Sequence, residues 1–404
     1  RMICLQGQSF DQVLFDHYGT ENGISQNSIY DIEEDELGFI WLATQYGLNR
    51  FNGVESRIFT SDHSGFTTND FHYIEKAGDG RFWIAGRRQI FLFDPCDEEV
   101  ITFPWHFVVN SIAVYKERLA VGTENGIWWV EKDKNTFKKL PQTDSLNIHS
   151  MATHQGVLWI GTQQGLWSYN GKEVPKHAPL GPDPKNELYI TSLASIQGNL
   201  WIGTKDGLLF REKTEHLLTD SADTKPYTSI NKLNKDEITA ILSVSDSVVW
   251  VGHARQGITR YDTSGNTLGD EIRFEYGIPN SLSQNHILAL FKDSQEGIWV
   301  GTYSGGANRH DPQKHRYTQY YVPYEKGDYR DQEPIWTIIP DPTSSDPHAF
   351  WLGTDDRGVV AFHTSNRSTK NLYTPKYHKR FRASEKTSVL CLETGFRDRT
   401  WAGT

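Results

Sequence analysis

Basic, amide and aromatic side chains recur at equivalent turns of this sequence, and their chemistry suits a hydroxylated ligand. Amides, tyrosine and arginine offer planar and bidentate hydrogen bonds, which match the hydroxyl groups of a carbohydrate. Any exposed hairpin also carries polar residues, so an ordinary solvated turn is the alternative at each position. The predicted ligand-binding residues are Tyr46, Arg87, Arg88, Gln163, Lys205, Arg255, Gln256, His286, Tyr303 and Arg357.

The motifs of common catalytic sites do not occur in the sequence. It contains no Gly-x-Ser-x-Gly, no His-Glu-x-x-His and no phosphate-binding loop. His149 and His154 come nearest to a pair of metal ligands, and His253 and His286 are the candidate histidines of an enzyme. The acidic turn at 33–36 is expected to be a solvated turn. We therefore predict no catalytic residue, no metal and no cofactor.

The spacing of these turns follows a repeated sequence motif. The motif is tryptophan followed by an apolar residue, glycine and threonine, and it recurs every 37 to 52 residues. Self-similarity at such a period is the mark of a β-propeller or a related array. The copies begin at Trp41, Trp83, Ala120, Trp159, Trp201, Trp250, Trp299, Trp351 and Trp401. Tryptophan and glycine are interpreted as packing residues between blades, which leaves ligand binding to the turns.

Each repeat is predicted to form four short antiparallel strands. In the first repeat these strands are predicted at 29–32, 39–44, 47–51 and 56–59. The third copy has Ala120 where the others have tryptophan, and Trp128 or Trp129 is expected to fill the gap. The longer spacings after the fifth copy predict loop insertions, such as those at 212–235 and 324–333. The predicted fold is all-β, a β-propeller of four-stranded antiparallel blades.

The N-terminal segment resembles the fourth strand of a blade that has no first three strands of its own. Such a strand closes a ring by completing its last blade, so residues 1–27 are assigned to a segment with a ring-closing strand. Residues 28–322 are predicted to form a seven-bladed propeller. Residues 323–404 are assigned to blade eight and half of blade nine, the start of a truncated second propeller. An eight-bladed ring with a further fragment is the alternative.

Composition and charge exclude several classes of partner. The net charge is −10, which disfavours nucleic acid and anionic membranes as partners. No apolar stretch approaches 18 residues, so no direct membrane insertion is expected from this chain. The three cysteines match neither a disulfide framework nor a metal site, and Cys391, in an apolar run, is predicted to be buried.

The repeat resembles that of the two-component regulator propeller family. The shared pattern is Gly-[Leu/Ile]-Ser-x-Asn-x-Ile, an acidic turn, Gly-x-[Ile/Leu]-Trp-[Ile/Val/Leu]-Gly-Thr and Gly-Leu-x-Arg-[Phe/Tyr], best seen at 25–51 and 283–308. The resemblance covers essentially the whole chain and implies the extracytoplasmic sensor of a hybrid two-component system. Members usually continue into a second propeller, an immunoglobulin-like domain, a membrane span and a cytoplasmic output.

The resemblance therefore implies a ligand-sensing domain of a transmembrane histidine kinase, on the periplasmic side of the inner membrane. The expected partners are a small molecule or oligosaccharide and a second copy, in a homodimer formed through the longer parent protein. A propeller enzyme of lyase or hydrolase type and the sensor of a diguanylate cyclase are the alternatives. The chain itself is not expected to be an enzyme.

Overall fold

The structure is a computed structural model of the chain. It describes residues 13–62, 64–131, 135–178, 180, 188–211, 236–276, 278–313, 334–355, 357–364, 368–372, 388–394 and 400–403. The predicted insertions at 212–235 and 324–333 lie outside the described residues. The chain divides into two compact units, a larger one of residues 13–274 and 280–315 and a smaller one that includes residues 316–404.

The described residues of the larger unit form short strands and one 3-10 helix, Thr20–Asn22. Its strands are β1 Asp16–Tyr18; β2 Ile29–Glu34, β3 Ile40–Thr44, β4 Gly47–Phe51 and β5 Ser56–Phe59; β6 Phe71–Lys76, β7 Phe82–Gly86, β8 Ile90–Phe93 and β9 Val100–Phe103; β10 Ser111–Tyr115, β11 Arg118–Thr123, β12 Gly126–Glu131 and β13 Thr136–Lys139; β14 Ile148–His154, β15 Val157–Thr162, β16 Gly165–Tyr169 and β17 Lys176–Ala178; β18 Ile190–Ile196, β19 Asn199–Thr204 and β20 Gly207–Arg211; β21 Ile238–Ser243, β22 Val248–His253 and β23 Ile258–Asp262; and β24 Ile287–Lys292, β25 Ile298–Thr302 and β26 Ala307–His310.

These strands form antiparallel sheets that follow one another along the chain, and the described residues of the larger unit contain seven of them. Strand β1 pairs with β26, so the N-terminal strand completes the last sheet. The first strands of successive sheets pack side by side, and β2 also packs against β24, which closes the sheets into a ring. The prediction of a propeller with four-stranded antiparallel blades is confirmed. The predicted count of seven and the domain boundaries stay predictions, since the sheets are traced through the described residues alone.

In the larger unit, the repeated motif lies on the second strand of each sheet, where it is buried on both faces. Every residue of β3 and of β15 is buried, because a sheet inside the ring is covered on both sides. A Cβ added to Gly203 would lie 2.6 Å from Cγ2 of Ile238 in the next sheet, so glycine permits the close approach of the two sheets. The interpretation of these residues as packing residues is confirmed.

The third sheet compensates for its missing tryptophan. Ala120 on β11 is the cross-strand partner of Trp129 on β12, so the two side chains share one face of the sheet. Trp129 is buried there with Leu158 and Ile160 of the next sheet. The prediction that a tryptophan of the third strand fills this gap is confirmed.

The acidic turn after β2 differs from the solvated turn that the sequence predicts. Asp35 is buried and accepts hydrogen bonds from two backbone N–H groups of the turn, at 2.9 and 3.0 Å. It also accepts the indole N–H of Trp41 at 2.8 Å, and Asp293 accepts that of Trp299 at 2.9 Å. The turn carboxylate therefore anchors the tryptophan of its own sheet.

The first and last sheets are joined through a buried carboxylate. Glu34 on β2 accepts the hydroxyl of Ser294 at 2.7 Å through one carboxylate oxygen and its backbone N–H at 2.8 Å through the other. We expect Glu34→Ala to lower the free energy of unfolding by about 1–3 kcal/mol, because two hydrogen bonds to a buried carboxylate are then lost. Urea unfolding of this variant and of Ser294→Ala, which removes only the hydroxyl, would measure the difference. A Glu34→Ala variant as stable as the wild type would show that this contact does not hold the ring closed.

Two sheets are formed by the residues of the smaller unit that the structure describes. Strands β27 Ile335–Pro340, β28 Ala349–Thr354, β29 Val359–His363 and β30 Ser368–Asn371 form one, and β31 Cys391–Thr394 and β32 Thr400–Gly403 form the other. Cys391 is exposed, so its predicted burial is wrong: β31 buries only Leu392. Among the described residues, none of the helical segments has the length and apolarity needed to cross a membrane.

Candidate ligand-binding rim

In four consecutive sheets of the larger unit, the turn between the second and third strands lies beside the link that leads into the first strand. A backbone N–H of the turn donates to the carbonyl of a link residue, which places the two segments on one face of the ring, as the sequence topology predicts. These bonds join Gln163 to Asn147, Lys205 to Tyr189, Ala254 to Glu237 and Tyr303 to His286, at 3.3, 3.0, 3.0 and 3.0 Å.

The first strands of the larger unit carry β-bulges at this same end. The register shifts at the second residue of β2, β6, β14, β18, β21 and β24. A bulge adds one residue to a strand and changes the direction of its side chain, and bulges are frequent next to functional sites. The bulge residues are Tyr30, His72, His149, Thr191, Thr239 and Leu288.

Three imidazole–phenol pairs occupy this end of the ring. The rings of Tyr30 and His72 lie 4.2 Å apart, and they belong to neighbouring sheets. His149 and Tyr189 stack at 4.4 Å, also across a sheet boundary. The third pair stacks at 5.0 Å with an angle of 13° between the ring planes, and consists of His286 and Tyr303. We call these six residues and the turns beside them the rim.

Cations and carboxylates accompany the aromatic pairs. The Nε2–H of His72 donates to the carboxylate of Asp70 at 2.8 Å, and Arg87 acts electrostatically on both Tyr30 and His72. The ammonium group of Lys205 lies 5.4 Å from the ring centroid of Tyr189. The rim therefore offers stacking surfaces, hydrogen-bond donors and hydrogen-bond acceptors within one region.

Arg255 is fixed by a buried partner. Asp236 is 0% exposed, and its carboxylate accepts the backbone N–H of Arg255 at 2.8 Å and the Nε–H at 3.0 Å. The side chain of Arg255 is nevertheless 79% exposed, so the rest of its guanidinium is accessible. A guanidinium held at Nε keeps a defined orientation at low entropic cost.

Burial controls the protonation of the rim histidines. Desolvation lowers the pKa of His72, of His149 and of His286, because burial disfavours the charged imidazolium. Asp70 opposes this effect at His72, and Glu237 opposes it at His286. The pKa of Tyr30 and that of Tyr189 are raised for the same reason, burial. Neutral imidazole and phenol groups thus form the pairs near pH 7.

The structure brings part of the predicted set together. Of the predicted residues, His286 and Tyr303 form a stacked pair, while Lys205, Arg87 and Arg255 lie beside rim residues as described above. Tyr46, Arg88 and Gln163 are exposed on their turns, and Gln256 accepts from Arg273 at 3.5 Å. Arg357 lies in the smaller unit. The prediction that this set binds a ligand stays a prediction.

The histidines considered for catalysis or metal binding have different surroundings. His253 is 2% exposed and its Nε2 lies 2.8 Å from the hydroxyl of Thr259, so it is enclosed in its own sheet. His154 is also buried, with Nδ1 2.7 Å from the hydroxyl of Ser195. In the part of the chain that the structure describes, no group of three His, Cys, Asp or Glu residues is arranged to hold a metal ion.

Two segments of the chain match a known sequence family. Residues 23–46 and 281–304 match the family described as Two component regulator propeller. The chain is also 35% identical over 66 residues to a protein named Histidine kinase P4 from Formosa agariphila, a match that covers 16% of this chain and 5% of that protein. Both matched propeller segments contain the acidic turn and the tryptophan described above.

Solved structures share the fold. The extracellular domain of a hybrid two-component system from B. thetaiotaomicron superposes with a TM-score of 0.70 at 22% identity, covering 97% of this chain and 52% of that domain. A second such domain from the same organism gives a TM-score of 0.62 at 17% identity, over 97% of this chain and 51% of the other. The chain thus spans about half the length of these domains.

An enzyme with this fold is also similar in structure. The virginiamycin B lyase from Staphylococcus aureus gives a TM-score of 0.54 at 11% identity, over 70% of this chain and 94% of the lyase. At such identities the likeness concerns the fold alone, whereas the matched segments carry the family's own sequence pattern. The chain carries two-component regulator propeller repeats, and its fold is that of the extracellular domains of hybrid two-component systems.

Proposed function

We propose that this chain is the extracytoplasmic ligand-sensing domain of a transmembrane histidine kinase in the inner membrane. The observation that carries the proposal is the pair of family matches at 23–46 and 281–304, in a fold shared over 97% of the chain with the extracellular domain of a hybrid two-component system. In this proposal the chain has no catalytic role of its own. Signal output belongs to a kinase elsewhere in a longer protein, through which two copies form a dimer.

The proposed ligand is a saccharide or another small molecule that binds at the rim. Stacked imidazole and phenol rings supply flat faces, and Arg87, Lys205 and Arg255 supply donors to hydroxyl oxygens. The carboxylates of Asp70 and Glu237 supply acceptors next to the same rings. Such a mixture of ring faces with donors and acceptors is what a polyhydroxylated ring requires.

A thermal-shift screen of the purified chain against oligosaccharides tests the ligand site. A ligand at about 100 times its Kd should stabilise the folded chain by about 2.7 kcal/mol and raise the Tm by several degrees. The double variant His286→Ala/Tyr303→Ala should lose this shift, while Ile58→Ala, on outer strand β5 of the first sheet, should keep it. A shift that survives loss of the His286–Tyr303 pair would place the ligand elsewhere.

The complete gene tests the signalling role. We expect it to encode a membrane span and a histidine kinase after this region. A reading frame that stops shortly after residue 404, or that continues into a diguanylate cyclase, would contradict the kinase assignment. The ligand site would then be judged by the thermal-shift result alone.

A lyase is the second candidate, favoured by the fold of the virginiamycin B lyase and by one pair of side chains. An imidazole oriented by a carboxylate, as His72 is by Asp70 at 2.8 Å, is the arrangement of a general base. Incubation of the chain with virginiamycin B, followed by chromatography, should give no cleavage product. Turnover that disappears in His72→Ala would establish the lyase instead.

A further inference from the structure

The smaller unit carries a β-bulge at the same position as the first strands of the larger unit. The pairing of β27 with β28 shifts between Ile335 and Thr337, so Trp336 is the bulge residue. Trp336 occupies the place on β27 that Tyr30 occupies on β2. Bulges are frequent next to functional sites because they change the direction of a side chain. The smaller unit therefore presents a tryptophan where the larger unit carries a rim residue.

The exposure of Trp336 follows from this position. Trp336 is 55% exposed. Ile338 on the same strand is 59% exposed, but its counterpart Ile32 is 3% exposed, so Ile338 lies on a face that a neighbouring sheet covers in the larger unit. All six bulge residues of the larger unit are partly exposed, although their ring is closed. A bulge residue thus remains accessible where the other apolar residues of its strand are covered.

Hydrogen bonds fix the indole ring of Trp336. Its Nε1–H donates to Oδ1 of Asp355 at 3.2 Å. The hydroxyl of Ser388 lies 3.0 Å from the same oxygen and 2.7 Å from the backbone carbonyl of Asp355, and the backbone N–H of Asp355 donates to the carbonyl of Pro334 at 3.2 Å. A carboxylate has about four acceptor sites, so Asp355 can accept further hydrogen bonds. We call Trp336, Asp355 and Ser388 the platform.

The platform combines a flat apolar surface with an adjacent acceptor. An indole face packs against flat, weakly polar ligand surfaces, and a tryptophan ring loses little conformational entropy when it binds. A pyranose ring with equatorial hydroxyls has axial C–H groups on both faces and hydroxyl donors along its edge. The carboxylate of Asp355 suits such a donor, because hydrogen bonds to a charged acceptor are the stronger ones. Arg357, in the same turn, adds a positive charge that disfavours a cationic ligand.

We infer that the platform is a second binding site, which stacks a pyranose ring on Trp336 and accepts one of its hydroxyls at Asp355. No residue of the rim takes part, and the proposed function assigns no ligand to the smaller unit. The inference can therefore fail while the proposed function holds, and the reverse is also true.

Indole 1H–15N NMR of the whole chain tests this inference with methyl β-glucopyranoside and mannitol as probes. Both probes are uncharged and rich in hydroxyl groups, but mannitol is acyclic and has no ring face. Trp336→Phe assigns the Trp336 signal among those of the 13 tryptophans. The glucoside at up to about 100 mM should shift this signal with a Kd on the order of 1 mM, and mannitol should not. Trp401, which is 66% exposed but lies on a second strand, is the control signal and should not move.

Each outcome decides the question. A shift at Trp336 with the glucoside alone supports the inference. Equal shifts with mannitol would show that no ring is stacked, equal shifts at Trp401 would show non-specific contact with exposed indoles, and no shift would show that the platform binds no sugar. Each of these three results overturns the inference. A larger shift with tetramethylammonium chloride than with the glucoside also overturns it, because the platform would then be a cation site.

Three variants locate the binding. Asp355→Asn keeps an acceptor oxygen but removes its charge, and should weaken glucoside binding, read at Trp336, by about 3- to 10-fold. Asp346→Asn changes an exposed carboxylate of the same unit and should leave the affinity unchanged. The double variant His286→Ala/Tyr303→Ala should also leave the response of Trp336 unchanged, and the remaining indole signals report whether each variant is folded. Full affinity in Asp355→Asn, or loss of the response in the folded double variant, would contradict the inference.

Discussion

Replacing Trp299 by alanine should lower the free energy of unfolding of the ring by about 3–5 kcal/mol. The side chain is 2% exposed and packs where the last sheet meets the first. Its ring lies 5.5 Å from that of Tyr18 and 6.0 Å from that of Phe51. Removal leaves a cavity between two sheets and also deprives buried Asp293 of the indole N–H. The free energies lost from apolar burial, from the cavity and from the hydrogen bond therefore add.

Two matched variants identify the cause of this loss. Trp299→Phe keeps much of the volume but loses the indole N–H, and should cost about 1–2 kcal/mol. Trp401→Ala changes the tryptophan of another copy of the motif, whose side chain is 66% exposed. This variant should change the free energy of unfolding by about 0.5 kcal/mol or less. Thermal and urea unfolding followed by circular dichroism measure all three. An equal loss of unfolding free energy in Trp299→Ala and Trp401→Ala would mean that burial of the motif's tryptophan does not stabilise the ring.

The strands of the repeat could be predicted because their signal is repeated and local. In the first repeat the predicted ranges 47–51 and 56–59 agree with β4 and β5. Strand β2 is longer than predicted, since Glu33 and Glu34 pair with Trp41 and Ile40 of β3. The acidic composition of this stretch resembles a turn, and only pairing with the neighbouring strand makes it part of the sheet.

From the sequence, only the face of the ring that carries the candidate site could be predicted. Strand order places the turns and links together, which is why His286 and Tyr303 were identifiable from sequence. The bulges were missed, because a one-residue register shift follows from pairing with the second strand rather than from local composition. The available signal was an aromatic or polar residue directly after the first apolar residue of the strand, as in Ile29–Tyr30 and Phe71–His72.

Contacts between distant parts of the chain were also beyond sequence reasoning. The carboxylate of Asp236 and the guanidinium of Arg255 belong to a link and a turn, and only the closed sheet brings them within 3.0 Å. Glu34 and Ser294 are 260 residues apart and meet because the ring closes. Charged residues of this kind look like solvated surface in a sequence, so their pairing has to come from the fold.

The first strands of the ring carry acidic side chains whose protonation should control stability. Burial raises the pKa of Asp31 to about 8, although the N–H groups of Ile32 and Ile74 donate to its carboxylate at 2.9 and 2.8 Å and act in the opposite direction. Burial also raises the pKa of Glu75 to about 7, and the charge of Glu33 raises it further. Within the described residues, these groups lie on β2 and β6, which pack side by side.

The stability that these two carboxyl groups contribute should therefore fall as the pH rises from about 4 to about 8. In this window the native state holds protons on Asp31 and Glu75 that the unfolded chain has released, since unfolded carboxyl groups titrate near pH 4. The stability from each raised pKa is complete below the unfolded value and is lost as the pH passes the folded value. For Asp31 the loss is on the order of 5 kcal/mol, at up to about 1.4 kcal/mol per pH unit.

Asp31→Asn isolates this effect, because the amide is neutral at every pH. It keeps one of the two acceptor oxygens to which the N–H groups of Ile32 and Ile74 donate, so the loss of the other lowers stability equally at every pH. Urea unfolding between pH 5 and 9 should show a clearly flatter decline for this variant than for the wild type, with Glu75 supplying the remaining slope. Asp97→Asn changes an exposed carboxylate and should follow the wild-type curve. A variant with the full wild-type slope would show that Asp31 is charged in the folded ring and that its backbone hydrogen bonds outweigh its burial.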